Sequence, residues 1–206
     1  MSERMRLCIA DPPYLGRAVR WYGENGCGDG HGLNQADNHP EAAIWDEPQT
    51  HRDLVMRLER EYDGWAIAMS VHSLSTYLSV VETDSRNGIR VCVWHKPSAI
   101  TSGNRVTNHW EPVLVRVPES RKGWGSGSAR TSDVFSAMPP KVNFRGAKPS
   151  GWTQWVLDLL GYCEGDVVDD LFHGSGQVSE AIAGIKNKQV GLFAFDVLDK
   201  GNNEHD

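Results

Sequence analysis

Short apolar runs alternate along the chain with segments whose apolar positions recur every three or four residues, the pattern of strands interleaved with amphipathic helices. Residues 6–10 form a first strand that stops at Asp11-Pro12-Pro13-Tyr14, where paired prolines end the strand and start a loop at its carboxyl end. Thr50 caps a helix with Asp53 in its first turn and Leu54, Leu58 and Tyr62 at helical spacing. Residues 65–70 read as a buried strand, 73–82 as a helix, and 90–95 and 111–117 as two further strands. Trp152, Trp155, Val156, Leu159 and Leu160 mark an amphipathic helix ended by Gly161. A strand over 166–172 then runs into the turn His173-Gly174-Ser175-Gly176, a helix carrying Val178, Ala181, Ile182 and Ile185, and a strand over 189–195 that ends at Asp196. Residues 16–49 show no clear period and read as a long loop, and no regular element stands out in 118–147. The alternation predicts an α/β fold with a mainly parallel central sheet covered on both faces.

Composition narrows the class. With 206 residues, 39% of them apolar and 23% charged, the chain suits one globular domain and excludes wholesale disorder. No run approaches the roughly 20 apolar residues of a membrane span, and the amino-terminal residues lack the apolar stretch of a secretory leader, so a cytoplasmic location without a membrane partner is expected. Cys8, Cys27, Cys92 and Cys163 form no C-x-x-C pair, which argues against a zinc site or disulfide framework; Cys8 and Cys92 read as small buried hydrophobes. His31 and His39 lack ligand-spaced partners, and no metal is expected. The alternating Gly26, Gly28, Gly30 and Gly32 precede no helix, and Gly161-Tyr162-Cys163-Glu164-Gly165 follows a helix rather than a strand, so neither a phosphate cradle nor a nucleophile elbow is expected.

The net charge of −6 argues against a nucleic-acid partner until its distribution is considered. Between residues 100 and 150 eight basic residues face three acids. Such a segment in an acidic chain is a candidate phosphate-contacting surface.

Two motifs carry chemistry. In Asp170-Leu171-Phe172-His173-Gly174-Ser175-Gly176 the glycines lie between a strand and a helix, where a ligand can approach the backbone and the helix start favours an anionic group. Asp196, about twenty residues later, can bind ribose hydroxyls. In Asp11-Pro12-Pro13-Tyr14, the Asp11 carboxylate and the Pro12 carbonyl can accept the N–H groups of an exocyclic amine, whose lone pair is otherwise delocalised into its ring. Tyr14 offers a face on which a flipped base stacks.

Asp-Pro-Pro-Tyr followed far downstream by Asp-x-Phe-x-Gly-Ser-Gly resembles the DNA amino-methyltransferase family, in the permuted group whose catalytic tetrapeptide precedes the cofactor-binding glycines. Lys148-Pro149 before the Trp-rich helix, Trp94-x-Lys96-Pro97, and His109-Trp110-Glu111-Pro112-Val113-Leu114-Val115 are similar to further segments of that family. The resemblance implies a Rossmann-like S-adenosylmethionine-dependent methyltransferase fold with circularly permuted motif order, and methyl transfer from S-adenosylmethionine to an exocyclic amine in double-stranded DNA with a flipped base. It implies that Asp11, Pro12, Pro13 and Tyr14 hold the base, that Lys148, Asp170, Phe172, Gly174, Ser175 and Gly176 line the methionine side of the cofactor, and that Asp196 holds its ribose. It makes residues 118–147 a small target-recognition insertion within a single domain, with Lys96, Arg121, Lys122, Arg130, Lys141 and Arg145 as phosphate contacts.

In this family a leading aspartate more often goes with adenine N6 and a leading serine with cytosine N4. Leu171 departs from the family's usual proline, and His173 from a small residue. Five residues precede Arg6, where family members place a strand that contacts the cofactor's adenine; that strand is absent, or another segment or a partner chain supplies it. A homodimer would suit the latter. The short chain suits a phage or mobile-element enzyme. The alternatives are cytosine N4 methylation, a catalytically weak DNA-binding protein that retains the fold, and methylation of RNA or a protein amide.

Overall fold

The computed structural model describes residues 3–23, 41–81, 88–100, 105–123, 130–140, 146–174, 176 and 178–184. Its strands are β1 (Arg6–Ala10), β2 (Gly64–Ala68), β3 (Ile89–Ile100), β4 (Asn108–Arg116), β5 (Val134–Ser136) and β6 (Val167–Asp170). They form one sheet in the order β5-β3-β4-β2-β1-β6. β1 lies parallel between β2 and β6, β5 is parallel to β3, and β4 runs antiparallel to both its neighbours. The expected strand over 189–195 lies outside the described residues.

Alternation along the strands builds two cores. Leu7 and Ile9 join Ala66, Ala68, Val113 and Val115 under α4 (Trp152–Leu159) and the helical residues 178–184, burying Trp152, Trp155, Val156, Val178 and Ile182. Cys8 and Ala10 point the other way, with Trp65, Ile67 and Leu114, against α2 (Pro48–Glu61) and α3 (Leu74–Leu78). Burial pushes the Cys92 thiol up to about 12, so it packs as a hydrophobe, as expected.

Local chemistry accounts for the helix ends. α2 begins at Pro48 rather than after a Thr50 cap, because proline's fixed φ suits a first helical position. The Thr50 hydroxyl instead donates to the Ile44 carbonyl at 2.6 Å. α4 ends in a Schellman arrangement: Gly161 has φ 66°, its N–H donates to Asp158, and the Tyr162 N–H reaches back to Leu157.

Three stretches differ from the sequence expectation. Residues 16–49, read as a loop, contain α1 (Ala18–Tyr22) and a 3-10 turn at Ala42–Asp46. Asp46 makes this possible by accepting the Ala18 and Val19 N–H groups at 2.9 and 3.0 Å, a cap from 28 and 27 residues away that no local pattern announces. The helix expected over 73–82 is shorter, a 3-10 turn at Val71–Ser73 running into α3.

The third concerns 118–147, where no regular element was expected and the described residues nevertheless contain two. Part of it is the edge strand β5, too short to show a period; Phe135 stacks on Trp155 at 5.4 Å, and the indoles of Trp155 and Trp94 donate to the carbonyls of Ser132 and Ala137. Its first residues form a 3-10 turn, Glu119–Arg121, just past the end of β4 at which β1 and β2 begin.

Arg121 fastens that rim. Its guanidinium pairs with Asp166, both side chains being almost fully buried, and donates to the carbonyls of Gly161 and Glu3 at 3.0 and 2.9 Å. Asp166 also accepts the N–H groups of Met5 and Cys163 at 2.9 and 2.8 Å, which joins the starts of β1 and β6 to the end of α4. Burial pushes the Asp166 carboxyl up, but its hydrogen bonds from Arg121, Cys163 and Met5 outweigh this and hold it below its ordinary value.

Arg121→Met leaves Asp166 charged, buried and short of its partner, and is expected to cost about 3–5 kcal/mol in a urea unfolding curve at neutral pH. A depressed carboxyl stabilises the fold above its unfolded pKa and loses that contribution as pH falls through the folded one. The cost of Arg121→Met should therefore shrink when the same curves are recorded below the ordinary aspartate range.

Candidate active site

β1 and β6 are parallel neighbours in the register Ile9↔Asp170, so the tetrapeptide after β1 and the glycine turn after β6 leave the same rim side by side. Leu171 N–H donates to the Ile9 carbonyl at 3.2 Å and continues the pairing to the rim. The tetrapeptide is fixed from behind: Arg17 N–H donates to Tyr14 O at 2.8 Å, and Asp46 holds the start of the helix that follows.

Asp11 is the centre of this rim. Its Oδ2 accepts from Lys148 Nζ at 2.6 Å, while its Oδ1, shielded from solvent, accepts no hydrogen bond among the described residues. An acceptor in that condition is costly unless a ligand uses it. Burial raises the Asp11 carboxyl above its ordinary value; the charge and hydrogen bond of Lys148 oppose this, and the charges of Glu111 and Asp170 add to it.

Lys148 is buried beside the tetrapeptide. Besides Asp11, its ammonium donates to Gly146 O at 3.1 Å and approaches the Tyr14 hydroxyl at 3.5 Å, and it lies 5.7 Å from the Tyr14 ring centroid and 5.6 Å from that of Trp152. The resemblance assigned it to the methionine side of a cofactor; among the described residues its closest contact is with Asp11, the residue expected to hold the base. The Tyr14 hydroxyl donates to Glu111 Oε2 at 2.9 Å, and Lys96 pairs with Glu111 Oε1.

On the β6 side, the Asp170 carboxylate accepts from Ser179 Oγ at 2.7 Å and from Phe172 N–H at 3.3 Å, and lies 3.6 Å from His173 Nδ1. It thus ties its turn to the following helix. Phe172 meets the Trp45 ring edge-on at 5.0 Å. Gly174 and Gly176 adopt φ 45° and 78°, which favours residues without a Cβ.

The sequence-selected residues therefore divide. Asp11, Pro12, Pro13, Tyr14, Lys148, Asp170, Phe172, Gly174 and Gly176 lie on or beside one rim. Ser175, Asp196, Lys141 and Arg145 lie outside the described residues, as do Gly26, Gly28, Gly30, Gly32, His31 and His39. Two expected phosphate contacts are corrected: Arg121 is consumed by Asp166 at the opposite rim, and Lys96 is buried against Glu111. Lys122, paired with Glu119, also sits at the opposite rim, and Arg130 is exposed before β5. Glu111 was not selected as a site residue from sequence; the available signal was an acid and a lysine on adjacent strands, each beside an apolar run.

No family model and no curated protein matches this chain. Among solved structures similar to it is the crystal structure of the M1.HpyAVI–SAM complex, with a TM-score of 0.51 and 14% sequence identity, over 89% of this chain and 78% of that one. That likeness lies in the fold, and the chain has the Rossmann-like fold of S-adenosylmethionine-dependent methyltransferases.

Proposed function

We propose that this protein transfers a methyl group from S-adenosylmethionine to the exocyclic amine of a base in DNA, with adenine N6 as the target, and that its motif order is the permuted one. The observation that carries the reading is Asp11 Oδ1, a buried carboxylate oxygen left without a donor among the described residues, at the rim shared with the glycine turn. A solved structure of like fold is a complex with SAM, which supports the choice of cofactor. Preference for adenine rests on the leading aspartate of the tetrapeptide.

The described residues fit such a cofactor. Asp11 and Asp170 end adjacent strands and act on each other electrostatically, which suits a ligand carrying sulfonium and ammonium charges. At Gly176 an added Cβ would come into ordinary van der Waals contact with Glu180 Oε1 at 3.9 Å, so it is the φ of 78° rather than lack of space that favours glycine there. When bound, the cofactor supplies an electrophilic methyl group. Asp11 Oδ1 accepts one amine N–H and orients the nitrogen lone pair, and the Pro12 carbonyl accepts the other. Tyr14 stacks on the extruded base. Asp11 stabilises the positive charge that grows on nitrogen, and its upward-shifted carboxyl is suited to receive the proton released afterwards.

Phosphate contacts fall to Arg17 and Arg20, exposed on and beside α1 directly after the tetrapeptide.

In cells expressing the protein, mass spectrometry of nucleosides should show N6-methyladenine in DNA with wild type and at least a hundredfold less with Asp11→Ala. N4-methylcytosine in its place would overturn the choice of base, and calorimetry without S-adenosylmethionine binding would leave a fold-retaining DNA-binding protein. Because only an ionised Asp11 can offset the positive charge that grows on nitrogen and take up the released proton, the transfer rate should fall as pH drops through its raised pKa; Lys148→Met removes the strongest opposing influence and should move that acid limb of the pH–rate profile to higher pH. Arg20→Glu should weaken binding to a DNA duplex and lower the slope of log K against log salt by about one or more, whereas Lys122→Glu at the opposite rim should leave both unchanged.

A further inference from the structure

Resting on the base-methylation reading, we infer that Glu111, kept in place by Lys96, is a positioning residue that holds the Tyr14 ring for the incoming base. β3 and β4 are antiparallel with Trp94 opposite Glu111, which sets Lys96, two residues along on β3, close to the Glu111 carboxylate. The Lys96 side chain is 5% exposed and that of Glu111 16%, so the pair is largely withdrawn from water. The ammonium also lies 4.5 Å from the Trp94 ring centroid, which gives the cation a second favourable surface.

A buried pair of this kind contributes little net stability, since desolvation offsets most of the attraction. Its two carboxylate oxygens have distinct uses. Oε1 is taken by Lys96, and Oε2 accepts the Tyr14 hydroxyl at 2.9 Å across 97 residues of chain. The phenol is thereby engaged within the protein, and Tyr14 meets a base with its ring face rather than its hydroxyl. Lys148 Nζ, 3.5 Å from the same hydroxyl, joins the tyrosine to Asp11, so the stacking surface and the amine acceptor belong to one hydrogen-bonded chain from β3 to β1. A charge-assisted hydrogen bond fixes ring orientation more tightly than packing of a half-buried ring alone.

The test has two arms on the full chain. In the first, tyrosine ¹³Cζ labels are followed by NMR over pH, with Tyr14→Phe used to assign the signal. Burial, and then the charge of Glu111, raise the Tyr14 phenol above its ordinary value, so Glu111→Gln should shift the Tyr14 signal and lower its titration midpoint, and Lys96→Met should shift the signal too. A Tyr14 signal unchanged by Glu111→Gln overturns the inference. In the second, methyl transfer to duplex DNA is measured for Glu111→Gln, Tyr14→Phe and the double variant. Each single change should lower kcat/KM by roughly tenfold or more, and the double variant should be no worse than the weaker single, because both remove one interaction. Losses that multiply, or a fully active Glu111→Gln, overturn it. Wild-type protein that methylates no DNA would sink the base-methylation reading, while the first arm still decides whether Glu111 holds Tyr14.

Discussion

The parallel pairing of β1 with β6 is the constraint on which the rest of the rim depends. Backbone hydrogen bonds in the register Ile9↔Asp170 bring two segments about 160 residues apart in sequence to adjacent strand ends, so that Asp11 and the glycine turn open in the same direction. A reversed or slipped strand would send the two turns to different rims or exchange the core-facing side chains for the others. Leu7 and Ile9 on one face and Cys8 and Ala10 on the other are all fully buried, so two separate cores resist such a slip.

The two ends of this strand pair treat buried aspartates in opposite ways. At one end Asp166 is saturated: Arg121 and two backbone N–H groups occupy both oxygens and keep the carboxyl ionised. At the other, Asp11 has one oxygen held by Lys148 and one without a described donor, and burial raises its pKa. A fully satisfied network stabilises a fold; a partly satisfied one costs stability and is retained where a ligand completes it. That contrast within one molecule is the physical basis for the proposed reaction, and the chain Lys96–Glu111–Tyr14–Lys148–Asp11 links five residues from four separate segments to an acceptor without a described donor.

The opposite rim also explains why a local excess of positive charge does not by itself assign each residue in it to phosphate. Arginine is well suited to buried carboxylate pairing as well as to phosphate, and sequence shows only that the charge is present. Arg121 is consumed in the structure and Lys96 is buried, whereas Arg17 and Arg20, in a segment that read as a loop, stand exposed beside the tetrapeptide.

Sequence by itself determined the elements with a strong local signature: the apolar run of β1, the period of α4 and its glycine stop, the alternation that makes the fold α/β, and the two motifs at strand ends. Each depends on residues within a turn or two of one another, where sterics and periodicity act. Tertiary structure alone decided what depends on contacts between distant residues. These are the Asp46 cap that makes α1 a helix, the three-residue β5 held by Trp94 and Trp155, the antiparallel direction of β4, the partner of Lys148 and the place of Glu111. A charged side chain has no periodicity to reveal its partner, and which opposite charge it meets is set only when the strands have taken their register.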